Sequence, residues 1–313
     1  MKPAMSRLML VSALLFLTTP AAVVLDLLTA TPAAATPFFF STGNPDGRMA
    51  TASRPSSAGK IEIESGDDFV LANRTALNMA TFTGLLTGGA TPANIGEVRV
   101  EIYRVFPADS NVGRTSGPPT FSTPQVPTRV NSPSDVELVD RDTAPFPGNL
   151  TVSTKVLNNS FTAANSVLPG GIHPLPNQTT GGNGPVTGEE VEFDVTFTTP
   201  FSLPPDHYFF VPQVEITTPS GEFLWLSAPR PIVPPGTPFP AGFTDLQEWT
   251  RDANLDPDWL RVGGDIVGPT PATGPTFNAT FSLTGNSIPE PATWLLFGLG
   301  MVSLVGWQRL RNP

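Results

Sequence analysis

Alternation of apolar and polar residues with a period of two is the feature that most limits how this chain can fold. The clearest example is Glu190–Phe197, in which valine or phenylalanine occupies every second position and acidic or threonine residues lie between them. Successive side chains of a strand point to opposite faces of a sheet, so such a segment has one buried and one solvated face. Glu97–Tyr103 and Phe277–Leu283 repeat the pattern. These segments predict antiparallel strands that need a second apolar layer to cover them.

The density of proline and glycine argues against long helices. The 313 residues include 37 prolines and 28 glycines, which cost roughly 3 and 1 kcal/mol in a helix interior. About ten strands are expected, which favours an all-β body, an antiparallel β-sandwich or jelly roll, with long loops between strands. One helix is predicted, at Thr244–Arg251, because Thr244 and Gln247 have the spacing of a capping box. Weaker strand signals lie at Lys60–Glu64, Asp68–Leu71, Leu77–Thr83, Leu150–Leu157, Tyr208–Val211, Gln213–Thr217 and Glu222–Leu226.

The first 35 residues have the parts of a secretory signal. Lys2 and Arg7 precede the uncharged run Leu8–Leu17, and a second apolar stretch ends at Ala33–Ala35. A basic region, an apolar region and an Ala-x-Ala site are typical of a signal peptide. We expect a signal peptide over residues 1–35, read by the Sec export machinery. The alternative is an uncleaved amino-terminal anchor, and in either case the body crosses a membrane.

The last 25 residues combine a Pro-Glu-Pro triplet, an apolar segment and a basic tail. Pro289, Glu290 and Pro291 are followed by sixteen uncharged residues, from Ala292 to Trp307, and then by Arg309 and Arg311. As a helix this segment would be about 24 Å long, slightly less than the roughly 30 Å hydrocarbon core. The arginines would hold the tail on the cytoplasmic side. We expect a single transmembrane helix; the alternative is a buried terminal strand or helix of the domain.

The segment IPEPATWLLFGLGMVSLVGWQRLRNP resembles the PEP-CTERM sorting signal, which exosortase enzymes recognise in Gram-negative bacteria. The resemblance implies passage through the inner membrane, cleavage near the triplet, and delivery to the cell surface or an exopolysaccharide matrix. It divides the chain into a signal peptide (1–35), a β-sandwich body (36–288) and a sorting signal (289–313). Body segments such as Phe40–Gly47 and His207–Glu215 are similar to a recurring uncharacterised group of exported PEP-CTERM proteins. That group supplies no catalytic residue.

The charge of the body excludes several partners. Residues 36–288 carry 13 basic and 25 acidic side chains, a balance that repels phosphate backbones and anionic lipid. Nucleic acid is therefore not expected as a partner, whereas neutral glycans and divalent cations are compatible. The chain has no cysteine and only two histidines, which excludes disulfides, thiolate metal sites and multi-histidine metal sites.

The sequence has none of the common catalytic motifs, and we expect no enzymatic activity. The histidines, His173 and His207, have no partner close in sequence and are interpreted as a turn residue and a strand-end residue. Paired carboxylates could act as acid and base, but neighbours on a strand face opposite sides, which favours solvated surface charge. Such pairs occur at Asp67/Asp68, Asp140/Asp142 and Glu189/Glu190.

One acidic segment has the spacing of a calcium loop. Oxygen-bearing side chains occupy every second position at Asp252, Asn254, Asp256 and Asp258. Calcium takes six to eight oxygen ligands, and such a loop can supply several of them. Pro257 and Gly263, however, stand where an EF-hand has its turning glycine and its bidentate glutamate. The alternative is an acidic turn in which Asp256 caps a short helix that begins at Pro257.

Three tryptophans of the body suggest a sugar-binding platform as an alternative function. Trp225 alternates with Phe223 and is predicted to lie in the core, and Trp249 is predicted to dock the short helix on the sheet. Trp259 is the remaining candidate ligand-binding residue. We therefore expect a noncatalytic structural or interaction protein of the surface or exopolysaccharide matrix. The alternatives are a glycan-binding module and a secreted hydrolase that uses paired carboxylates.

Overall fold

A computed structural model describes residues 35–57, 59–110, 130–145, 148–172, 179–253, 258–268 and 274–288. Residues 1–34 of the predicted signal peptide and the whole predicted transmembrane helix lie outside these residues, and both stay predictions of the sequence. Within the described ranges, no helix is both long and apolar enough to cross a bilayer.

Fifteen strands lie within the described residues. They are β1 (Pro37–Ser41), β2 (Met49–Ala52), β3 (Ile63–Leu71), β4 (Thr75–Leu86), β5 (Ile95–Arg104), β6 (Val139–Asp142), β7 (Leu150–Ala163), β8 (Asn165–Val167), β9 (Val186–Leu203), β10 (Asp206–Ile216), β11 (Phe223–Ala228), β12 (Trp249–Asp252), β13 (Leu260–Arg261), β14 (Asn278–Ala279) and β15 (Phe281–Ser287). The helical elements of this part of the chain are two 3₁₀ turns, Pro92–Asn94 and Pro169–Gly171, and one π-helical segment, Val262–Val267.

The strands form two sheets, and the predicted all-β fold is confirmed. In the nine-stranded sheet, β4 pairs with β9 on one side and with β15 and β11 on the other. β7, β1, β2, β8 and β14 extend this sheet. The six-stranded sheet has the order β13-β12-β3-β10-β5-β6. All pairs are antiparallel except β2 with β8. The three strongest alternating segments lie in β5, β9 and β14–β15.

The main core lies between the two sheets. Phe193, on β9, stacks on Phe82 of β4 with the ring centroids 4.8 Å apart, and Phe210 of the six-stranded sheet stacks on Phe281 at 5.0 Å. Stacked aromatic pairs add about 0.5–1.5 kcal/mol to the stabilisation from burial. Trp225 is fully buried here, as predicted, and its indole N–H donates to the carbonyl of Thr280 at 2.7 Å.

The predicted helix at Thr244–Arg251 is wrong. Residues 243–248 have no regular secondary structure, and β12 begins at Trp249. Gln247 has a φ of 67°, which is incompatible with a right-handed helix. β12 pairs with β3 on one side and with β13 on the other. This long-range pairing overrides the local helical signal, and Trp249 is buried on a strand rather than on a helix.

The six-stranded sheet is covered on its second face as well. Trp259 donates its indole N–H to the carbonyl of Ser134 at 3.0 Å, and the backbone N–H of Leu246 donates to Asp68 at 3.0 Å. The segments before β6 and before β12 therefore lie over this sheet. As a result all nine residues of β3 are buried, including its acidic ones.

Candidate functional site

A buried ion network occupies the covered face of the six-stranded sheet. The guanidinium of Arg251 on β12 forms an ion pair with Glu64 of β3 and a second one with Asp258 at 3.1 Å. It also donates to the hydroxyl oxygen of Tyr103 at 3.2 Å and lies 4.4 Å from the centroid of the Trp259 ring. Burial alone would raise the pKa of Glu64, but the Arg251 charge and the hydrogen bonds from Arg251, Tyr103 and Glu101 together outweigh burial and lower it. Glu64 is therefore ionised at neutral pH.

The neighbouring carboxyl group of Glu101 has the opposite protonation state. Burial raises the pKa of Glu101 to about 10, and repulsion from Glu64, Glu137 and Glu62 adds to the shift. The two carboxyl groups share Tyr103, whose hydroxyl group hydrogen-bonds to both. Pairs of carboxyls with pKa values driven apart often mark acid and base catalysts. Glu64 and Glu101 are both buried, and neither lines the pockets of the described residues. Their interactions with Tyr103 and Arg251 therefore hold β3, β5 and β12 together.

Asp67 and Asp68 are buried, which corrects the expectation that this pair is solvated. They face opposite sides of β3, as the strand alternation requires. Asp68 Oδ2 lies 2.6 Å from His207 Nε2, and burial raises the pKa of Asp68 to about 6 although His207 opposes the shift. Asp67 accepts a hydrogen bond from the backbone N–H of Ala279 at 2.8 Å. Burial, with repulsion from Asp68, raises the pKa of Asp67 well above its usual range.

His207 and the remaining carboxylate pairs differ in how far they are buried. His207 lies at the start of β10, as predicted, whereas His173 lies outside the described residues. Asp140 and Asp142 are half-buried on β6. Glu190 on β9 is buried, and burial raises its pKa.

The structure reaches only part of the predicted calcium loop. Asn254 and Asp256 lie outside the described residues, Asp252 ends β12, and the carboxylate of Asp258 is engaged by Arg251. Within the described segments, no group of three or more histidine or acidic side chains is arranged to hold a metal ion. Calcium binding stays a prediction. It would require the Asp258 carboxylate to bind the ion, either after leaving Arg251 or while still paired with it.

Trp259 does not form an exposed sugar-binding platform, which corrects that prediction. Its side chain is 0% exposed and packs edge-on against Tyr103, with ring centroids 5.5 Å apart. The contacts of Trp259 are structural, because its ring lies against Arg251 and its indole N–H donates to a backbone carbonyl.

An open cleft of about 510 Å³ lies on the face of the nine-stranded sheet opposite the core. Hydroxyl groups line its floor, and Thr81 and Ser282 hydrogen-bond to each other across β4 and β15 at 2.6 Å. Glu190 and Glu192 of β9 add carboxylates. Phe39 and Leu157, which are 57% and 41% exposed, lie among its apolar lining residues. The remaining lining residues are Ser41, Gly43, Asn44, Pro45, Phe82, Thr83, Pro235, Thr280 and Phe281.

Sequence reasoning missed this cleft for a physical reason. The alternation in Glu190–Phe197 correctly placed Glu190 and Glu192 on the outer face of the sheet, whereas Thr81 and Thr83 lie in the weaker strand signal Leu77–Thr83. The walls, however, come from Gly43–Pro45 and Pro235, which are distant in sequence and carry no periodic signal. The sequence carried one sign of the cleft, which is the row of hydroxyl residues that faces away from the core.

Glu248 is a further buried acid that the sequence did not single out. It is 1% exposed, and neither carboxyl oxygen has a hydrogen-bond partner among the described residues. Burial raises its pKa to about 8; the nearby Thr51 hydroxyl opposes the shift and the Asp46 charge adds to it. Burial is the largest influence on the pKa of Glu248, and the carboxyl group is therefore neutral at pH 7.

Stability is expected to fall as pH rises through the range set by Glu248. The unfolded chain loses this proton near pH 4.5 and the folded chain near pH 8, so the folded state binds the extra proton between them. We expect Glu248→Gln to lose less stability than wild type between pH 5 and pH 9, as measured by chemical denaturation. Glu189→Gln, on the half-exposed neighbour of Glu190, is the control. Parallel pH profiles for wild type and Glu248→Gln would contradict the assignment.

Comparison with known families identifies the C-terminal segment. The profile of the PEP-CTERM protein-sorting motif matches residues 287–311. The match includes Pro289, Glu290, Pro291, Arg309 and Arg311, and it confirms the resemblance seen in the sequence. No curated protein and no solved structure matches the chain.

The motif defines the route that the protein takes. A chain that carries it is exported, is anchored in the membrane by its C-terminal segment until exosortase processing, and then reaches the surface or the exterior. The match covers only this end of the chain and assigns no role to the β-sandwich.

Proposed function

We propose that this exported protein has a noncatalytic interaction role at the cell surface or in the exopolysaccharide matrix, and that its open cleft binds a neutral glycan. The cleft is the observation that carries the proposal. Its volume falls within the roughly 300–1,000 Å³ of typical ligand sites. Matrix glycans are also the polymers that a processed, exported chain would meet.

The lining of the cleft suits a sugar chain. Thr81, Thr83 and Ser282 offer hydroxyl groups that both donate and accept hydrogen bonds, as sugar hydroxyls do. Phe39 and Leu157 offer exposed apolar surface for the C–H faces of a pyranose ring. No lysine or arginine is among the described lining residues. The two glutamates therefore favour neutral over acidic polymers.

The placement of two buried carboxylates on the six-stranded sheet supports a noncatalytic role. Glu64 is bound to Arg251 and Asp68 to His207, and neither carboxylate lines the cleft. A substrate in the cleft would not reach them.

A hydrolase is the second candidate, and Glu190 and Glu192 favour it. These glutamates are two positions apart on one strand face and line the same cleft, and burial raises the pKa of Glu190. Most glycoside hydrolysis uses a pair of carboxyl groups that flank the bond to be cleaved.

Binding to neutral polysaccharides tests the proposal directly. The processed protein, recovered from outside its exporting cells, is titrated with dextran, galactomannan and hydroxyethylcellulose. We expect at least one to bind, and we expect Phe39→Ala to weaken that binding about 5- to 10-fold, since it removes roughly 1–1.5 kcal/mol of apolar contact.

Val136→Ala is the matched control, because Val136 is an exposed apolar residue that does not line the cleft. Equal affinity for wild type and Phe39→Ala, or no binding to any polymer, would overturn the glycan assignment. Release of new reducing ends that is lost in Glu192→Gln would establish the hydrolase instead.

A further inference from the structure

A second pocket, of about 350 Å³, lies beside the end of β9 and has the opposite charge. It is lined by Arg104 of β5, Leu138, Val139 and Arg141 at β6, and Pro200, Phe201, Ser202, Leu203 and Pro204. Two arginines and no carboxylate are among these described lining residues. In a body with 25 acidic and 13 basic side chains, such a lining is unexpected. It distinguishes this pocket from the cleft that contains Glu190 and Glu192.

Arg141 is held in place by neutral groups. Its Nε donates to the carbonyl of Thr199 at 2.7 Å, its other nitrogens donate to the carbonyls of Asp140 and Pro200, and its guanidinium lies 4.5 Å from the centroid of the Phe201 ring. Among the described residues, no side-chain carboxylate lies within ion-pair distance of it. Burial lowers its pKa, and the Asp140 charge opposes this from farther away. The side chain is therefore fixed in position while its charge is not neutralised.

Arg104 also has unused hydrogen-bonding capacity. Its Nε is buried and has no hydrogen-bond partner among the described residues. Asp109 lies 3.4 Å from that nitrogen, but both side chains of this ion pair are about one-third exposed, 34% and 39%. Exposed pairs of this kind are weak. Arg74, which reaches Ser202 with a separation of 3.5 Å between Nη1 and Oγ, adds a third positive charge at the rim.

We propose that this pocket binds a carboxylate-bearing sugar unit, with its carboxylate recognised by the guanidinium groups of Arg104 and Arg141. Guanidinium groups bind carboxylates through paired, charge-assisted hydrogen bonds. Pro200, Pro204 and Leu138 supply apolar walls for the ring that carries the carboxylate. The preference for a carboxylate rests on this pocket alone. The choice of a saccharide as its carrier rests on the proposed matrix role.

The test compares a charged glycan with its uncharged counterpart. The processed protein is titrated with polygalacturonate and with fully methyl-esterified polygalacturonate. We expect binding of the acid and little binding of the ester. Arg104→Gln and Arg141→Gln are each expected to weaken acid binding about 10-fold or more, which corresponds to the loss of one charge-assisted contact. Thermal midpoints check that both variants fold.

Arg48→Gln is the matched control, because Arg48 is exposed and lies over the Phe277 ring, away from the pocket. Equal binding of acid and ester, or an equal loss in Arg48→Gln, would overturn the proposal. Tighter binding of inorganic phosphate than of galacturonate would overturn the choice of a carboxylate. Phe39→Ala should leave acid binding unchanged, so failure of the neutral-glycan proposal and failure of this one are distinguishable.

Discussion

Replacing Arg251 with methionine is expected to lower the free energy of unfolding by about 3–5 kcal/mol, the cost of removing one partner from a buried ion pair. Arg251 is the cation for both Glu64 and Asp258, which are themselves buried. Methionine keeps the apolar volume of the arginine stem but leaves the two carboxylates in the interior without that charge. The loss should exceed that of any exposed substitution.

Guanidinium denaturation of the processed protein, followed by tryptophan fluorescence, measures this effect. Arg48→Met changes an exposed arginine and should stay within about 0.5 kcal/mol of wild type. Adding Glu64→Gln to Arg251→Met should restore part of the stability, because it removes the buried negative charge of Glu64 that Arg251 no longer balances. A loss below about 1 kcal/mol in Arg251→Met would show that the network does not hold the sheet as described.

Replacing Pro289, Glu290 and Pro291 with alanine is expected to abolish nearly all release of the protein from the membrane. The motif profile covers these residues. The sixteen uncharged residues that follow remain in place, so the unprocessed chain keeps its anchor. A segment of this length and polarity stays in the bilayer, so the body is released only when it is cut from that segment. The variant should therefore accumulate in the membrane fraction at the unprocessed mass.

Cell fractionation and immunoblotting measure the distribution of this variant. Val136→Ala, an exposed change in the body, should be released as wild type is. Equal amounts of the alanine variant and wild type outside the cell, at the same mass, would show that the triplet does not direct processing.

The strands were predictable from sequence where only one face is buried. Val191, Phe193 and Val195 alternate with polar residues because β9 has its core on one side and the cleft on the other. β3 has no such alternation, because both of its faces are buried, and it gave only the weaker strand signals at Lys60–Glu64 and Asp68–Leu71. Its acidic residues resemble surface positions. The partners that allow their burial, Arg251 and His207, are 187 and 139 residues away in sequence.

The candidate sites show the same limit. The prediction for Trp259 rests on the aromatic face that tryptophan offers to sugars, but a sequence cannot show that a guanidinium and a tyrosine enclose the ring. The two pockets depend on walls that are distant in sequence from their other lining residues, the loop Gly43–Pro45 in one and the end of β9 with Pro204 in the other. The sorting motif, in contrast, is contiguous, and it was predictable because its three parts act in linear order along the chain.

Mass spectrometry of the protein recovered from outside the cell tests the central claim most directly. Exosortase processing predicts a mature chain whose last peptide ends near Pro289–Pro291 and lacks Arg309 and Arg311. An external protein that still ends with the intact tail, including Arg311, would contradict the account.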